Sequence, residues 1–397
     1  MRIVGIEDLH ADGGWRTFSY LKVTTDEGIT GWAEYSDGFT AGAVTAVIHR
    51  LAKTAIGMDP RQVGVLNATL HAVTRMTIGG LHQEAIAAIE NACVDIKAKA
   101  LGVPVYDLFG GPFRTRLPLY WSHCGTFRVT QRAFFENELR LPPIRTLDDF
   151  KKLGEEVVAR GFPALKTNPV PLRPGDPPFS PGFRIVPGFL DRNIDNRMIS
   201  GMMDLLSAFR DGIGPDTGLM IDLNFSQRTE GFMRVAKALE PFDLTWLEID
   251  IHDPASLAQV RRSTATPIAS LEAVHGLGNY RPYFEAQAAG VAIVDVPWNG
   301  IWESVRIATL ADAYEVNVAP HNFYGALASL ISAHFCASIP NFRIMEIEVD
   351  DVPWKNDLIT TPVVLEDGHL LVPDRPGWGA DVNEDAVREH PPRGPRT

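Results

Sequence analysis

Cysteine is scarce in this chain. Its 397 residues hold three, Cys93, Cys124 and Cys336, an odd number set far apart. They make no CxxC pair and no zinc-ligand spacing, so a disulfide scaffold and a structural zinc site are excluded, and reduced thiols in a cytoplasmic protein are expected. Long apolar runs are also missing. The opening stretch, MRIVGIEDLHADGG, places acids where a secretory leader has its apolar segment, and nothing approaches the length of a membrane span. Basic charge is short as well: 37 Lys and Arg face 49 Asp and Glu, for a net charge of −12. That balance argues against a nucleic-acid partner. What is plentiful is core material. At 45% hydrophobic residues, the chain can build a large barrel-sized core and a smaller unit beside it.

Seven polar residues stand at the ends of short apolar runs in the last two-thirds of the sequence: Lys166, Asp222, Glu248, Glu272, Asp295, His321 and Glu346. From Asp222 onward they recur every 23 to 26 residues. One strand, one helix and two short loops take about that length, and a (β/α)8 barrel repeats such a unit with its chemistry at the C-terminal strand ends. The rhythm predicts helices over 147–160, 198–211, 230–239, 254–262, 280–289, 301–314 and 325–338, with the first barrel strand at Leu117–Tyr120. The period breaks once, between Lys166 and Asp222. The excess maps to Val170–Asn196, a segment that opens rich in Pro and Gly and is expected to form a lid or wall at the mouth.

The front of the chain reads differently. Thr17–Glu34 predicts a hairpin around Asp26-Glu27-Gly28, and helices are expected over 41–56 and 84–101. In the second helix Ile86, Ile89, Cys93 and Ile96 share one face, and Gly102 can close it. Strands followed by helices make an α+β unit ending near Gly110-Gly111-Pro112. After Glu346 the rhythm stops. Short strands with a turn at Asp367-Gly368 follow, and the Pro-rich end is expected to fray.

The chemistry follows from the residue types. Asp222, Glu248 and Glu272 on successive strand ends would repel one another unless protonated or neutralised by a cation. All-oxygen ligands suit Mg2+, one per site, rather than zinc. Asn224, two residues past Asp222, points to the same side. Lys166 and His321, on the second and seventh strands, flank the triad. A lysine near a metal has its pKa pushed down and can act as a base. His321 can work as acid or base, oriented by Asp295. Glu346 can either donate a hydrogen bond or pair with Lys166. Together the parts suit proton abstraction next to a carboxylate, where a cation on the carboxylate oxygens stabilises the enolate.

These residues resemble the enolase superfamily, and within it the mandelate racemase group, over nearly the whole chain. The segment AIAAIENACVDIKAKALGVPVYDLFGG (85–111) is similar to the helix and exit of that family's capping domain. The motifs ALKTN, IDLN, WLEID, TPIASLE, VAPHN and RIMEIE carry the likeness at Lys166, Asp222 with Asn224, Glu248, Glu272, His321 and Glu346, and Asp295 matches as the partner of the histidine. The resemblance implies a modified (β/α)7β barrel over 116–352, an α+β capping domain over 1–115, and a segment, 353–397, that returns to the cap. It implies Asp222, Glu248 and Glu272 as Mg2+ ligands, Lys166, His321, Asp295 and Glu346 as catalytic groups, and a homo-oligomer, dimer or octamer. Two departures stand out. Ala164 replaces a lysine that the racemase has two residues before the base, and Leu271 replaces the usual glycine before the third ligand. The sixth strand end has no lysine, unlike the muconate-cycloisomerase type. A single lysine with a His–Asp dyad implies dehydration of a sugar acid to a 2-keto-3-deoxy acid. A racemase or epimerase of a 2-hydroxy acid is the alternative, and a non-catalytic metal-binding barrel is the third reading. Substrate contacts are expected from Asn224, from His10, Asp12, Trp15 and Arg16 in the first cap loop, from the second cap loop Met76–His82, and from His275 and Trp298.

Overall fold

The computed structural model describes residues 1–37, 42–172 and 192–393. The chain begins with an antiparallel sheet in the order β1 (Ile3–Asp12), β2 (Thr17–Thr25), β3 (Thr30–Tyr35). The β2–β3 turn is the predicted one, with Gly28 at φ +81, where glycine alone is unstrained. Three helices follow: α1 (Ala43–Ala55), α2 (Val63–Val73) and α3 (Gly80–Leu101). The predicted face of α3 holds. Ile86, Ile89, Cys93 and Ile96 pack into one core with Leu21, Val23 and Ala33 of the sheet.

The barrel starts at β4 (Arg116–Trp121) and α4 (Thr126–Thr130). It runs through α5 (Leu147–Ala159), β5 (Ala164–Thr167), α6 (Asn196–Ile213), β6 (Gly218–Asp222), α7 (Thr229–Leu239) and β7 (Trp246–Glu248). Then come α8 (Pro254–Arg262), β8 (Ile268–Ser270), α9 (Leu277–Glu285), β9 (Val291–Asp295), α10 (Val296–Asn299) and α11 (Ile301–Ala313). β10 (Asn317–His321), α12 (Ala326–Ser338) and β11 (Met345–Ile347) complete it. Strands β4 to β10 pair in parallel in sequence order, and β11 pairs in parallel with β4. Val318 bonds to the backbone of Asn341 and Arg343 just before β11, which closes the ring at eight strands. The last strand has no helix of its own, as in a (β/α)7β barrel. The α9 helix starts three residues earlier than the spacing predicts, and the four-residue α10 is unpredicted. Of the stretch expected to form a lid or wall, residues 173–191 lie outside the described residues.

Alternation along the strands sets the site. Tyr120, Ala164, Met220, Trp246, Ile293, Ala319 and Ile344 form an apolar plug inside the barrel. Side chains on a strand alternate between faces. The residue two positions further along each of these seven runs therefore points inward again, above the plug: Ser122, Lys166, Asp222, Glu248, Asp295, His321 and Glu346. The polar residue at the end of each apolar run is thus the first inward position beyond a filled core.

Beyond the barrel the chain returns to the cap. The hairpin β12 (Leu365–Glu366) and β13 (His369–Leu371) pairs antiparallel to the start of β4, around the predicted turn at Asp367-Gly368. Trp378 donates to the Trp32 carbonyl at 2.8 Å, and Asp12 N–H to His390 O at 2.8 Å. The short helix α13 (Glu384–Glu389) lies beside β1, and Glu384 pairs with Lys22.

The barrel helices α11 and α12 are among those that begin at glycines and so lack a capping side chain of their own. The cap supplies the acceptors. Glu90 and Asn91 of α3 accept from the N–H groups of Trp302 and Ile301 at 2.7 and 2.8 Å. Glu34 of β3 accepts from the N–H groups of Gly325 and Ala328. A Cβ at Gly300 or Gly325 would collide with these carboxylates, so glycine is required at both starts. Carboxyl oxygens at helix N-termini are favourable as acceptors for N–H groups that have no partner within the helix. Among the described residues, no helix is long and apolar enough to cross a membrane.

Candidate active site

The C-terminal strand ends open into a cavity of about 540 Å³ roofed by the cap. Asp222, Glu248 and Glu272 each offer an oxygen within 4.8 Å of the other two, all three buried. Glu248 also accepts from the Trp246 indole at 2.9 Å. Asn224 lies beside them: its backbone N–H donates to Asp222 at 2.8 Å, and its amide donates to Asp222 at 3.0 Å and to Glu272 at 3.3 Å. Burial and mutual repulsion push the Asp222 and Glu248 carboxyls up to about 7, against the pull of Lys166. Burial also raises Glu272. Acids held this close, all offering oxygen, fit a hard divalent cation, which would restore their ionised form.

Lys166, one residue before the end of β5, is buried, with Nζ 2.9 Å from Glu248, 3.1 Å from Glu346 and 3.9 Å from Asp222. Burial lowers its pKa, but Glu248, Glu346 and Asp222 raise it more, and the ammonium is held well above its ordinary value. This departs from the lowering expected of it: among the protein's own charges, three anions outweigh desolvation. Glu346 makes the choice that the sequence left open. It pairs with Lys166 and accepts from Ser122 and from Asn322 N–H at 2.7 Å, and despite burial its carboxyl is held down at about 2.

His321 stands at the end of β10, across the triad. Its Nδ1 is 2.6 Å from Asp295, and its Nε2 is 3.6 Å from Glu272. Burial lowers its pKa, but Glu272 and Asp295 raise it to about 10. Asp295 is fixed by the N–H of Trp298 at 2.7 Å and by the Tyr324 hydroxyl. Tyr324, three residues past His321, was missed by the sequence reading. So were Asn168, which donates to the Asp222 carbonyl at 3.1 Å, and Asn322. Polar residues just past the strand ends were the available signal.

The structure brings Trp15, Arg16, Asn224 and Trp298 to the cavity wall. Arg16 pairs with Asp351 and stacks over Trp15 at 4.4 Å. Two expected contacts are corrected. His10 faces elsewhere: its ring nitrogens are taken up by Ser19 at 3.0 Å and Asp8 at 2.8 Å along the sheet. His275 is behind the wall, stacked on Trp298 with centroids 5.6 Å apart, and 3.3 Å from Glu84. The second cap loop does not line the cavity either, and its Met76 and Ile78 stand exposed.

Fold and site together define a capped barrel enzyme of enolase type. Residues 149–386 match the enolase C-terminal domain-like model, and residues 14–110 match the N-terminal domain model of mandelate racemase / muconate lactonizing enzyme. The chain belongs to the mandelate racemase / muconate lactonizing enzyme family of the enolase superfamily. D-xylonate dehydratase of Haloferax volcanii is 28% identical over 98% of this chain and 88% of its own length. D-galactonate dehydratase of Xanthomonas campestris pv. campestris is 27% identical over 99% of this chain and 96% of its own. A crystal structure from Burkholderia xenovorans strain LB400, bound to magnesium and fumarate and provisionally described as an L-alanine-DL-glutamate epimerase, is 43% identical. It superposes with a TM-score of 0.93 over 98% of this chain and 96% of that one.

Proposed function

We propose that the protein is a Mg2+-dependent dehydratase of a sugar acid, forming a 2-keto-3-deoxy acid. The observation that carries this reading is the lysine on one side of the carboxylate triad and the His–Asp pair on the other. Asp222, Glu248 and Glu272 would hold the cation. When bound, it supplies positive charge to the substrate carboxylate, where the second negative charge of the enolate develops. Lys166 and His321 present a base and an acid to opposite faces of an α-carbon seated between them. Asp295 fixes the His321 tautomer, and Tyr324 fixes Asp295. The curated relatives are dehydratases of D-xylonate and D-galactonate, which supports a hydro-lyase working on a polyhydroxy acid.

Epimerisation is the second reading, favoured by the same two-sided arrangement and by the description of the Burkholderia relative. Asp295 at the sixth strand end, where the paired-lysine type has its second lysine, weighs against that type of site. The test is product. The protein would be incubated with Mg2+ and D-xylonate, D-gluconate, D-galactonate and further pentonic and hexonic acids, and 2-keto acids would be read as semicarbazones. Turnover of one acid is expected, with Lys166→Ala and His321→Asn each lowering it by about 10²- to 10⁴-fold. An inverted substrate without 2-keto acid would establish epimerisation instead.

A further inference from the structure

The cavity holds a second imidazole–carboxylate pair that none of these roles uses. His123 follows β4 and lines the cavity. Its backbone is in the left-handed region, φ +46, which His tolerates better than most residues. Its Nδ1 is 2.9 Å from Glu348, just past β11, and 3.1 Å from the Ser122 hydroxyl. Glu348 is buried, and its other oxygen has no partner. Phe127 and Phe323 hold the ring, at centroid distances of 4.5 and 5.8 Å. Phe323 also packs on His321 at 5.1 Å, so one phenyl ring lies between the two pairs. Ser122 carries the chain on to Glu346 and thence to Lys166. The imidazole of His123 keeps 16% of its surface exposed, and the cavity is where it is exposed.

Charge fits an acid here. Burial pushes the Glu348 carboxyl well up and the His123 imidazole down to about 3. A proton held between Glu348 and Nδ1 leaves the ring's other hydrogen on Nε2.

We propose that His123, backed by Glu348, is the acid that protonates the departing β-hydroxyl, and that the site therefore takes acids with a hydroxyl on the carbon next to the α-carbon. The inference rests on the dehydratase reading. The Cα–H bond breaks and its proton goes to the base flanking the triad. The Cβ–O bond then breaks with its electron pair on oxygen, which takes the Nε2 proton and leaves as water. The Glu348 proton moves to Nδ1, so the imidazole stays neutral and the charge ends on Glu348. The enol left behind ketonises, and solvent returns the base's proton to the pair. His123 thus handles the leaving group while Lys166 and His321 handle the α-proton.

The two steps can be read separately. In 2H2O with Mg2+, the acid turned over by the wild type is followed for α-deuterium uptake and for 2-keto acid. His123→Asn is expected to lower 2-keto acid by about 10²-fold or more while α-exchange stays within tenfold of the wild type. Glu348→Gln is expected to show the same split in milder form, and it decides the matter if His123→Asn melts early. The analogue carrying fluorine in place of the β-hydroxyl needs no proton to depart, so His123→Asn is expected to eliminate fluoride near the wild-type rate. Parallel loss of exchange and elimination in a folded variant, or no loss of either, overturns the role of His123. A wild type that exchanges α-deuterium but forms no 2-keto acid from any member of the panel overturns the dehydratase reading, and this proposal with it.

Discussion

Leu271 stands one residue before Glu272 with φ +93, a backbone that L-residues rarely adopt. The turn directs its side chain into the outer core while Glu272 faces the triad. Asp250 supports the turn by accepting from Leu271 N–H at 3.3 Å. A bulky residue held there stores about 1–3 kcal/mol of strain, which its burial must offset. The ordinary ranking of alanine over glycine should therefore invert: Leu271→Gly is expected to be more stable than Leu271→Ala by about 1 kcal/mol or more, read by chemical denaturation. The sequence shows the missing glycine but not that leucine takes on its conformation. Other residues were legible in the same uneven way. The groups at strand ends could be found because strand alternation and barrel period fix where they point. His10 could not be judged, because its neighbours Asp8 and Ser19 are set by sheet register rather than by proximity to the site. His123 escaped notice because Glu348, which gives it meaning, is 225 residues away.

At the scale of elements, the period predicted the barrel helices to within a few residues, since each must cover one strand pair with an apolar face. It did not reveal α2, although Val63, Leu66 and Leu70 carry helical spacing and are buried. Nor did it reveal who caps α11 and α12, because a glycine start gives no hint of its acceptor. That borrowed cap has a pH signature. Burial pushes the Glu90 carboxyl up to about 8 from an ordinary 4.5, despite the hydrogen bonds of Asn67 and Trp302. The folded state thus binds a proton there that the unfolded chain has released. Its contribution is full below about pH 4.5 and is lost as pH rises through about 8, with a slope of at most about 1.4 kcal/mol per pH unit. Urea titrations at a series of pH values should show this loss in the wild type, and the Glu90→Gln difference curve should recover it. A difference that does not vary with pH would place Glu90 at its ordinary value.

At the scale of the whole molecule, one end of the barrel gathers a cluster of buried acids. Asp222, Glu248 and Glu272 are joined there by Asp250, which burial and its acidic neighbours also push well up. An ion that binds only the folded state adds stability, about 2.7 kcal/mol at a hundredfold excess over Kd. Mg2+ is expected to raise Tm and EDTA to reverse it, and Asp222→Asn, read by differential scanning calorimetry, should abolish the shift. A wild-type Tm indifferent to Mg2+ would remove the triad from consideration as a cation site.

The glutamates that reach across to residues 300 and 325 also bear on how such a protein can be rebuilt. Roof and barrel are written in different stretches of sequence, yet the roof finishes the backbone of two barrel helices. A chimera with a roof from a relative would inherit two helix starts made for carboxylates that the donor must happen to own. Grafting only the first cap loop, around Trp15 and Arg16, leaves those joints intact. New substrate preferences should therefore be easier to reach by exchanging that loop than by exchanging the whole domain.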